Sequence, residues 1–321
     1  MNIYIVGAGA VGTYIGDKLR TASTTVTYAP RHIDDIKRVE ADLAIVAVKS
    51  YDTDRAIAAL QHALGANSGA TILCPQNGVG NEEKLAAAFG ADAVMSCALT
   101  IPVDRTRDGE AVASNDGGVA LAPVGTSAHN WLVAAFEQAG IPVKVASDYR
   151  AMKWSKLTLN IIANASCAIL NVLPERLLHM EHMFSLEIRA LREATAVMKA
   201  LGISTIDLPG YPVRALQTLL VLPSRLSRFI LSDRIAGARG RKAPSLLLDL
   251  RASKGQTEVG VLNGAVAAGG RQAGVPTPIN TVLARVLDDI AHMPQLWAKY
   301  RERPQALFAE IEAEQRRMAA R

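Results

Sequence analysis

The sequence predicts an α/β domain over residues 1–148 followed by an all-α domain over residues 149–321. Three observations carry this. Short β-rich runs alternate with helical stretches through the first half, the pattern of a parallel sheet covered by helices. A Gly-x-Gly-x-x-Gly run follows directly on the first of those strands. Beyond residue 150 no β alternation remains, and apolar residues recur at helical spacing.

Taken in order, Asn2–Val6 is the first strand, and it breaks into Gly7-Ala8-Gly9-Ala10-Val11-Gly12 before a helical stretch to about Thr21. That spacing has a mechanical meaning. Gly7 permits the tight turn, Gly9 lets backbone approach a pyrophosphate, and Gly12 lets helix and strand pack closely. The helix start then offers N–H groups and a positive dipole end to the phosphates. The first domain is therefore expected to be Rossmann-like, with Gly7–Gly12 as its cofactor loop.

The second strand, Thr24–Ala29, ends in Pro30-Arg31. An NAD site usually carries a carboxylate near here for the ribose 2′-OH, whereas an Arg suits a 2′-phosphate, so NADP(H) is expected. The plainer reading of Arg31 is a surface loop residue. Only residues 30–41 lead to the next strand, Asp42–Val48, which is near the minimum for a parallel crossover. The fold reads as shortened between strands 2 and 3. Lys49-Ser-Tyr-Asp52 opens a helix to about Leu64, and Thr71–Cys74 is a strand running into Pro75-Gln-Asn-Gly-Val-Gly80. This turn lies where a doubly wound sheet meets its ligand. Asn77 either holds nicotinamide or substrate, or simply begins an Asn-Gly turn. Strand-like runs at 93–101, 110–114 and 118–122, a helix at 127–139 and the strand Ile141–Val145 complete the domain.

The second half opens on Lys153–Ala168, sixteen residues without Gly or Pro that read as one continuous apolar helix. Lys156, Asn160 and Asn164 stand on it at i, i+4, i+8, stacked along one edge. An ammonium on so apolar a helix is costly unless offset, and desolvation moves a lysine toward the range where it can give up a proton. Lys156 is therefore a candidate general acid, against the bland reading of a solvated helix edge. Helical segments follow at 174–201 and 212–236, and another opens at Ser245 and Asp249. Glu258 lies in the first turn of the next; Gly274–Asn280 is a rigid turn into a helix, and an exposed final helix is expected from Arg301. Arg225, Arg228, Arg234, Arg239, Arg241 and Lys242 face a single acid, Asp233, over one short stretch. That run reads as a solvated face or as a basic flap over an anion.

Composition narrows the class. A net charge of +5 fits anionic small molecules better than nucleic acid, and 5% aromatics leave little for base stacking. Cys74, Cys97 and Cys167 are far apart in apolar runs, which suggests reduced buried thiols. His179 and His182 have no third ligand at suitable spacing, so no metal is expected. No run approaches a membrane span, and the N-terminus lacks a basic leader, so a cytoplasmic protein is expected.

With these residues in place, the chain resembles the ketopantoate reductase (2-dehydropantoate 2-reductase) family. The likeness runs through Gly7–Gly12, Arg31, Val48–Asp52, Gln76–Gly80, Trp154-Ser-Lys-Leu157, Asn160, Asn164, Pro244-Ser245, Thr257-Glu258, Leu262–Gly264 and Gly274–Pro276. It implies NADPH-dependent reduction of a 2-oxo acid, 2-dehydropantoate to pantoate foremost. By resemblance Lys156 is the general acid with Glu258 as its partner. Asn160, Asn164 and Ser245 are then substrate contacts, Lys49 and Asn77 line the cofactor site, and Arg31 meets the 2′-phosphate. Two departures stand out: the family's usual excursion between Arg31 and Asp42 is missing, and a further substrate-binding asparagine of some members falls at Pro174, with Asn171 close by. Another 2-oxo acid or an imine, a non-catalytic NADP(H) sensor, and a homodimer all stay open on the sequence.

Overall fold

The computed structural model describes residues 1–65, 68–106, 108–113, 117–220 and 242–320. By contacts the chain forms two compact units, Met1–Lys156 with Ile206–Pro212, and Leu157–Thr205 with Val213–Arg321.

The first unit is built on β1 (Asn2–Val6), β2 (Thr25–Tyr28), β3 (Leu43–Val46), β4 (Thr71–Cys74), β5 (Val94–Leu99), β8 (Val119–Pro123) and β9 (Val143–Val145), in the order β2-β1-β3-β4-β5-β8-β9. All neighbours are parallel except β5 with β8. A parallel sheet survives only with both faces covered, and its central strands β3, β4 and β5 are accordingly buried throughout and apolar except at Thr71 and Ser96. Ile3, Ile5, Leu43, Ile45 and Leu73 enter one core with Leu132 and Phe136. Their alternates Tyr4, Val6, Ala44, Val46 and Ile72 enter the other with Leu60 and Leu85. The covering helices are α1 (Ala10–Lys18), α2 (Thr53–Leu64), α3 (Asn81–Phe89) and α4 (Asn130–Gln138). A separate hairpin, β6 (Val103–Arg105) with β7 (Ala111–Ala113), packs on α1. Neither α3 nor β6 stands out in the apolar pattern of the sequence.

The shortened crossover is real. Between β2 and β3 the chain makes only one 3₁₀ turn, Ile33–Asp35, where a full helix would otherwise cover the sheet. Three contacts fasten it. Ile36 is buried in the second core, its carbonyl lies 3.1 Å from His62 Nε2, and Val39 N donates to Ala63 O at 2.9 Å.

The helix expected as Lys153–Ala168 is instead two. α5 (Tyr149–Ile161) ends before Ile162-Ala163, and α6 (Asn164–Leu170) begins after Ala163, which holds a left-handed φ of 54°. The break falls between Asn160 and Asn164, so their i, i+4 stacking is not that of a continuous helix. Its cause is distant in sequence. Glu187, 3% exposed, accepts from Ala163 N at 2.7 Å and from Ser166 Oγ at 2.5 Å. The carboxylate thereby satisfies donors that a new helix start would otherwise leave bare.

The rest of the second unit is helical. α7 (Pro174–His179) and α8 (Glu181–Ala200) replace the single segment expected there, and α9 (Val213–Leu220) is the described part of the one expected at 212–236. α10 (Ser245–Arg251), α11 (Asn263–Ala273), α12 (Pro278–His292), α13 (Trp297–Tyr300) and α14 (Pro304–Ala319) follow. The fully buried α6 packs against α10 and α12, and α12 also meets α8, α11 and α14. Of the basic stretch 225–242, all but Lys242 lies outside the described residues. No described helix is long and apolar enough to cross a membrane.

Candidate functional site

In the first unit Gly7 and Gly12 meet the backbone demands that their spacing predicts. β1 has β2 on one side and β3 on the other, so the loop after it sits at the sheet's topological switch point. Gly7 has φ 110°, and a Cβ there would lie 2.6 Å from the Ala47 carbonyl carbon. A Cβ on Gly12 would lie 2.0 Å from Gly7 O. Both are glycine because backbone fills the space. Gly9 differs: it is exposed, its φ is −81°, and nothing lies within 4 Å of where its Cβ would be. The open volume beside Gly9 faces the start of α1, whose first amides, at Ala10, Val11 and Gly12, have no carbonyl one turn earlier to accept them. Such a cradle fits a dinucleotide pyrophosphate. Gly9→Ala is accordingly expected to leave the melting temperature within about 2 °C of wild type while weakening NADPH binding at least about ten-fold, since a methyl costs the fold little there but occupies the phosphate's space. Fluorescence titration beside thermal denaturation checks this; unchanged NADPH affinity would refute the cradle.

Arg31 is exposed, and its carbonyl accepts from Arg55 Nη2 at 2.6 Å. Lys49 is half-buried in extended backbone just past β3, before a 3₁₀ turn at Ser50–Asp52. Asn77 is half-buried past the end of β4, its carbonyl accepting from Asn81 Nδ2 at 3.1 Å, and Gly78 turns the chain with φ 82°. Sequence reasoning passed over Gln76, which ties these strand ends together. Its Nε2 donates to Val48 O at 3.1 Å and to Thr53 Oγ1 at 2.9 Å.

α5 carries two lysines one turn apart in different settings. Lys156 is half-buried, and its Nζ donates to Leu99 O at the end of β5, at 2.6 Å. Lys153 is the deeply buried one, 2% exposed, and sequence reasoning missed it. Burial pushes its ammonium down, but the charge of the Glu82 carboxylate and its hydrogen bond more than offset this, so its pKa lies above the ordinary lysine value. Burial also pushes the Cys74 thiol up, and that of Cys97 up to about 12, which leaves both protonated.

In the second unit Asn160 is half-buried at the end of α5, and its carbonyl accepts from Asn164 Nδ2 at 3.1 Å. Asn164 is 4% exposed and spans two elements, because its Oδ1 accepts from Leu246 N at 3.2 Å. That bond fixes the first turn of α10, where Ser245 is exposed. Glu258 is 4% exposed and opens a 3₁₀ turn, Glu258–Val261, rather than the helix expected there. Asn171 ends α6 with φ 55°, and its Oδ1 accepts from Arg251 Nε and Nη2 at 3.1 and 2.9 Å. It thus caps and braces that helix. A cleft of about 270 Å³, lined by Asn171, Asp249, Lys254, Trp297 and Arg301 among others, holds none of Asn160, Asn164, Ser245 and Glu258.

Residues 28–125 match the family described as ketopantoate reductase PanE/ApbA, and residues 148–291 match its C-terminal counterpart. The chain is 26% identical to the 2-dehydropantoate 2-reductase of Halobacterium salinarum, over 92% of this chain and 99% of that one. Among solved structures it is similar to a PanE/ApbA family ketopantoate reductase from Ralstonia eutropha, with TM-score 0.73 and 28% identity over 92% and 100% of the two chains. A D-mandelate dehydrogenase in complex with NADH, at 19% identity and TM-score 0.73 over 91% and 99%, shares the fold. The two family matches together run from the end of β2 almost to the end of α12, and the chain belongs to the ketopantoate reductase family of oxidoreductases.

Proposed function

We propose that the protein reduces a 2-oxo acid to a 2-hydroxy acid with NADPH, 2-dehydropantoate to pantoate foremost. Residues 1–148 serve the cofactor and 149–321 the substrate. The observation that carries this reading is the run Trp154-Ser-Lys156-Leu157 with Asn160 and Asn164, the most specific of the family's motifs, in a chain that family matches along most of its length.

The bound nicotinamide supplies a hydride to the C2 carbonyl. The chain's own groups do the rest. Gly7–Gly12 cradle the pyrophosphate, Arg31 pairs with the 2′-phosphate, and Lys49 and Asn77 flank the nicotinamide end. Lys156 gives a proton to the oxygen that becomes the alkoxide, and its charge stabilises that oxygen as negative charge develops. The Leu99 carbonyl holds the ammonium in a fixed direction, so little reorientation is needed at the moment of transfer. Asn160 and Ser245 bind the substrate's oxygens, Asn164 acts with them and sets the position of both, and Glu258 serves as the partner of Lys156. NADPH oxidation across a panel of 2-oxo acids including ketopantoate tests the reading. Absence of turnover with every member, alongside tight NADPH binding, would favour a nucleotide-sensing protein instead.

Cofactor choice gives a second test. A guanidinium–phosphate pair is charge-assisted and often bidentate, so NADPH should be preferred over NADH. Arg31 is exposed beside a crossover with a single 3₁₀ turn, and a pair in that setting is screened by salt. The expected preference is therefore moderate, shrinks as ionic strength rises, and largely disappears in Arg31→Ala. Ratios of kcat/KM for the two cofactors at two salt concentrations measure it. A ratio untouched by the substitution would make Arg31 a loop residue only.

A further inference from the structure

Lys153 and Glu82 form an ion pair at 2.9 Å with side-chain exposures of 3% and 1%. Glu82 also accepts from Ser96 Oγ on β5 at 2.8 Å. Lys153 Nζ in turn donates to the Gln76 carbonyl, one residue before Asn77. On the next turn of the same helix Lys156 donates to Leu99 O. Two ammonium groups on α5 thus grip carbonyls at or just beyond the ends of two neighbouring strands, β4 and β5.

Stability alone does not explain a pair this deep. The desolvation of two buried charges consumes most of their attraction, and well-packed apolar residues of similar volume are commonly as stabilising or more so. What an apolar pair lacks is a donor for the Gln76 carbonyl. We propose that Lys153, held by Glu82, is a positioning residue that fixes the Gln76–Asn77 turn and the seating of α5, and through them the placement of Lys156. It acts through its neighbours, touching neither substrate nor cofactor. The proposal rests on the reductase reading for its kinetic consequence, but its structural consequence stands without it.

The test compares wild type with Lys153→Met/Glu82→Leu, which removes both charges and keeps the volume. This variant should melt within a few degrees of wild type, because the desolvation recovered from two buried charges offsets the bonds lost by Gln76 O and Ser96 Oγ. Its NADPH affinity by fluorescence titration should stay within about three-fold, because the glycine loop and Arg31 that hold the phosphates are untouched. Its kcat should fall at least about ten-fold, the scale expected when reacting groups shift by a fraction of an ångström. Amide exchange across residues 76–80 should quicken in the cofactor-free protein. Lys153→Arg, which keeps charge and donors, should restore a substantial part of kcat. A folded double variant with wild-type kcat and unchanged exchange overturns the proposal.

Should the double variant fail to fold, Lys153→Met/Glu82→Gln retains a polar partner for Ser96 and removes the ammonium, and the same readouts apply. If that variant also unfolds, the pair is a folding element and the proposal falls. If wild type turns over no 2-oxo acid but exchange at 76–80 still quickens in the variant, the reductase reading fails and the positioning role survives.

Discussion

Lys156→Ala should lose about two to four orders of magnitude in kcat with its best 2-oxo acid while still binding NADPH, the usual scale for removing a general acid. The side chain is half-buried and donates to Leu99 O, so its removal leaves one carbonyl without that donor, a modest cost of about 1 kcal/mol in stability. Folding and cofactor binding therefore stay intact, and the loss falls on turnover. Lys156→Arg separates two roles of the ammonium. A guanidinium keeps the positive charge but holds its proton at any accessible pH, so it can stabilise an alkoxide without protonating it. Arginine should recover only a small part of the lost rate. Stopped-flow oxidation of NADPH measures both variants, and near-normal kcat in Lys156→Ala would remove Lys156 from the chemistry.

The largest effect on stability is expected at the α5–α6 break. Glu187→Ala strips a buried acceptor from Ala163 N and Ser166 Oγ. Hydrogen bonds to a buried charged group are worth about 1.5–3 kcal/mol each, so the variant should lose on the order of 3–5 kcal/mol. Glu187→Gln, which keeps an acceptor and the volume, should lose about half as much. Ala163→Gly should act in the opposite sense by up to about 1 kcal/mol, since a left-handed φ costs alanine energy that glycine does not spend. Urea unfolding of the three variants checks the series. A loss in Glu187→Ala below about 0.5 kcal/mol, the range of ordinary surface changes, would mean the break is held by packing alone.

How far the molecule could be read from its residues differs by region, for physical reasons. Gly7 and Gly12 were legible in their separate structural roles because each answers a local backbone demand. The missing helix between β2 and β3 was legible because residues 30–41 are too few to build one. Lys156 stands out in the sequence because a cation on an apolar helix is locally improbable. Lys153 escaped notice on the same helix because its partner, Glu82, is 71 residues away and lies in a run, Asn81-Glu82-Glu83-Lys84, that looks like surface. The break at Ile162-Ala163 was hidden for the same reason: neither Gly nor Pro marks it, and Glu187 holds it from another helix. Asn164 was picked out as a polar group on an apolar edge, but only the fold reveals that its two ends join Asn160 to Leu246. Local demands are written locally, whereas partnerships across tens of residues are not.

The return of Ile206–Pro212 to the first unit bears on the order in which the protein can be made. Ile206 N donates to Ser155 Oγ at 2.9 Å, Lys144 Nζ donates to Asp207 O at 2.7 Å, and Thr100 Oγ1 lies 2.8 Å from Pro209 O. During translation all seven strands leave the ribosome before this clip exists. At roughly 5–20 residues per second, the sheet waits several seconds for its last contacts. Through that interval Lys144 on β9, the edge strand, lacks the carbonyl of Asp207 that it will hold. The first unit therefore cannot complete its contacts until the opening helices of the second have been synthesised, even though each unit builds its own core.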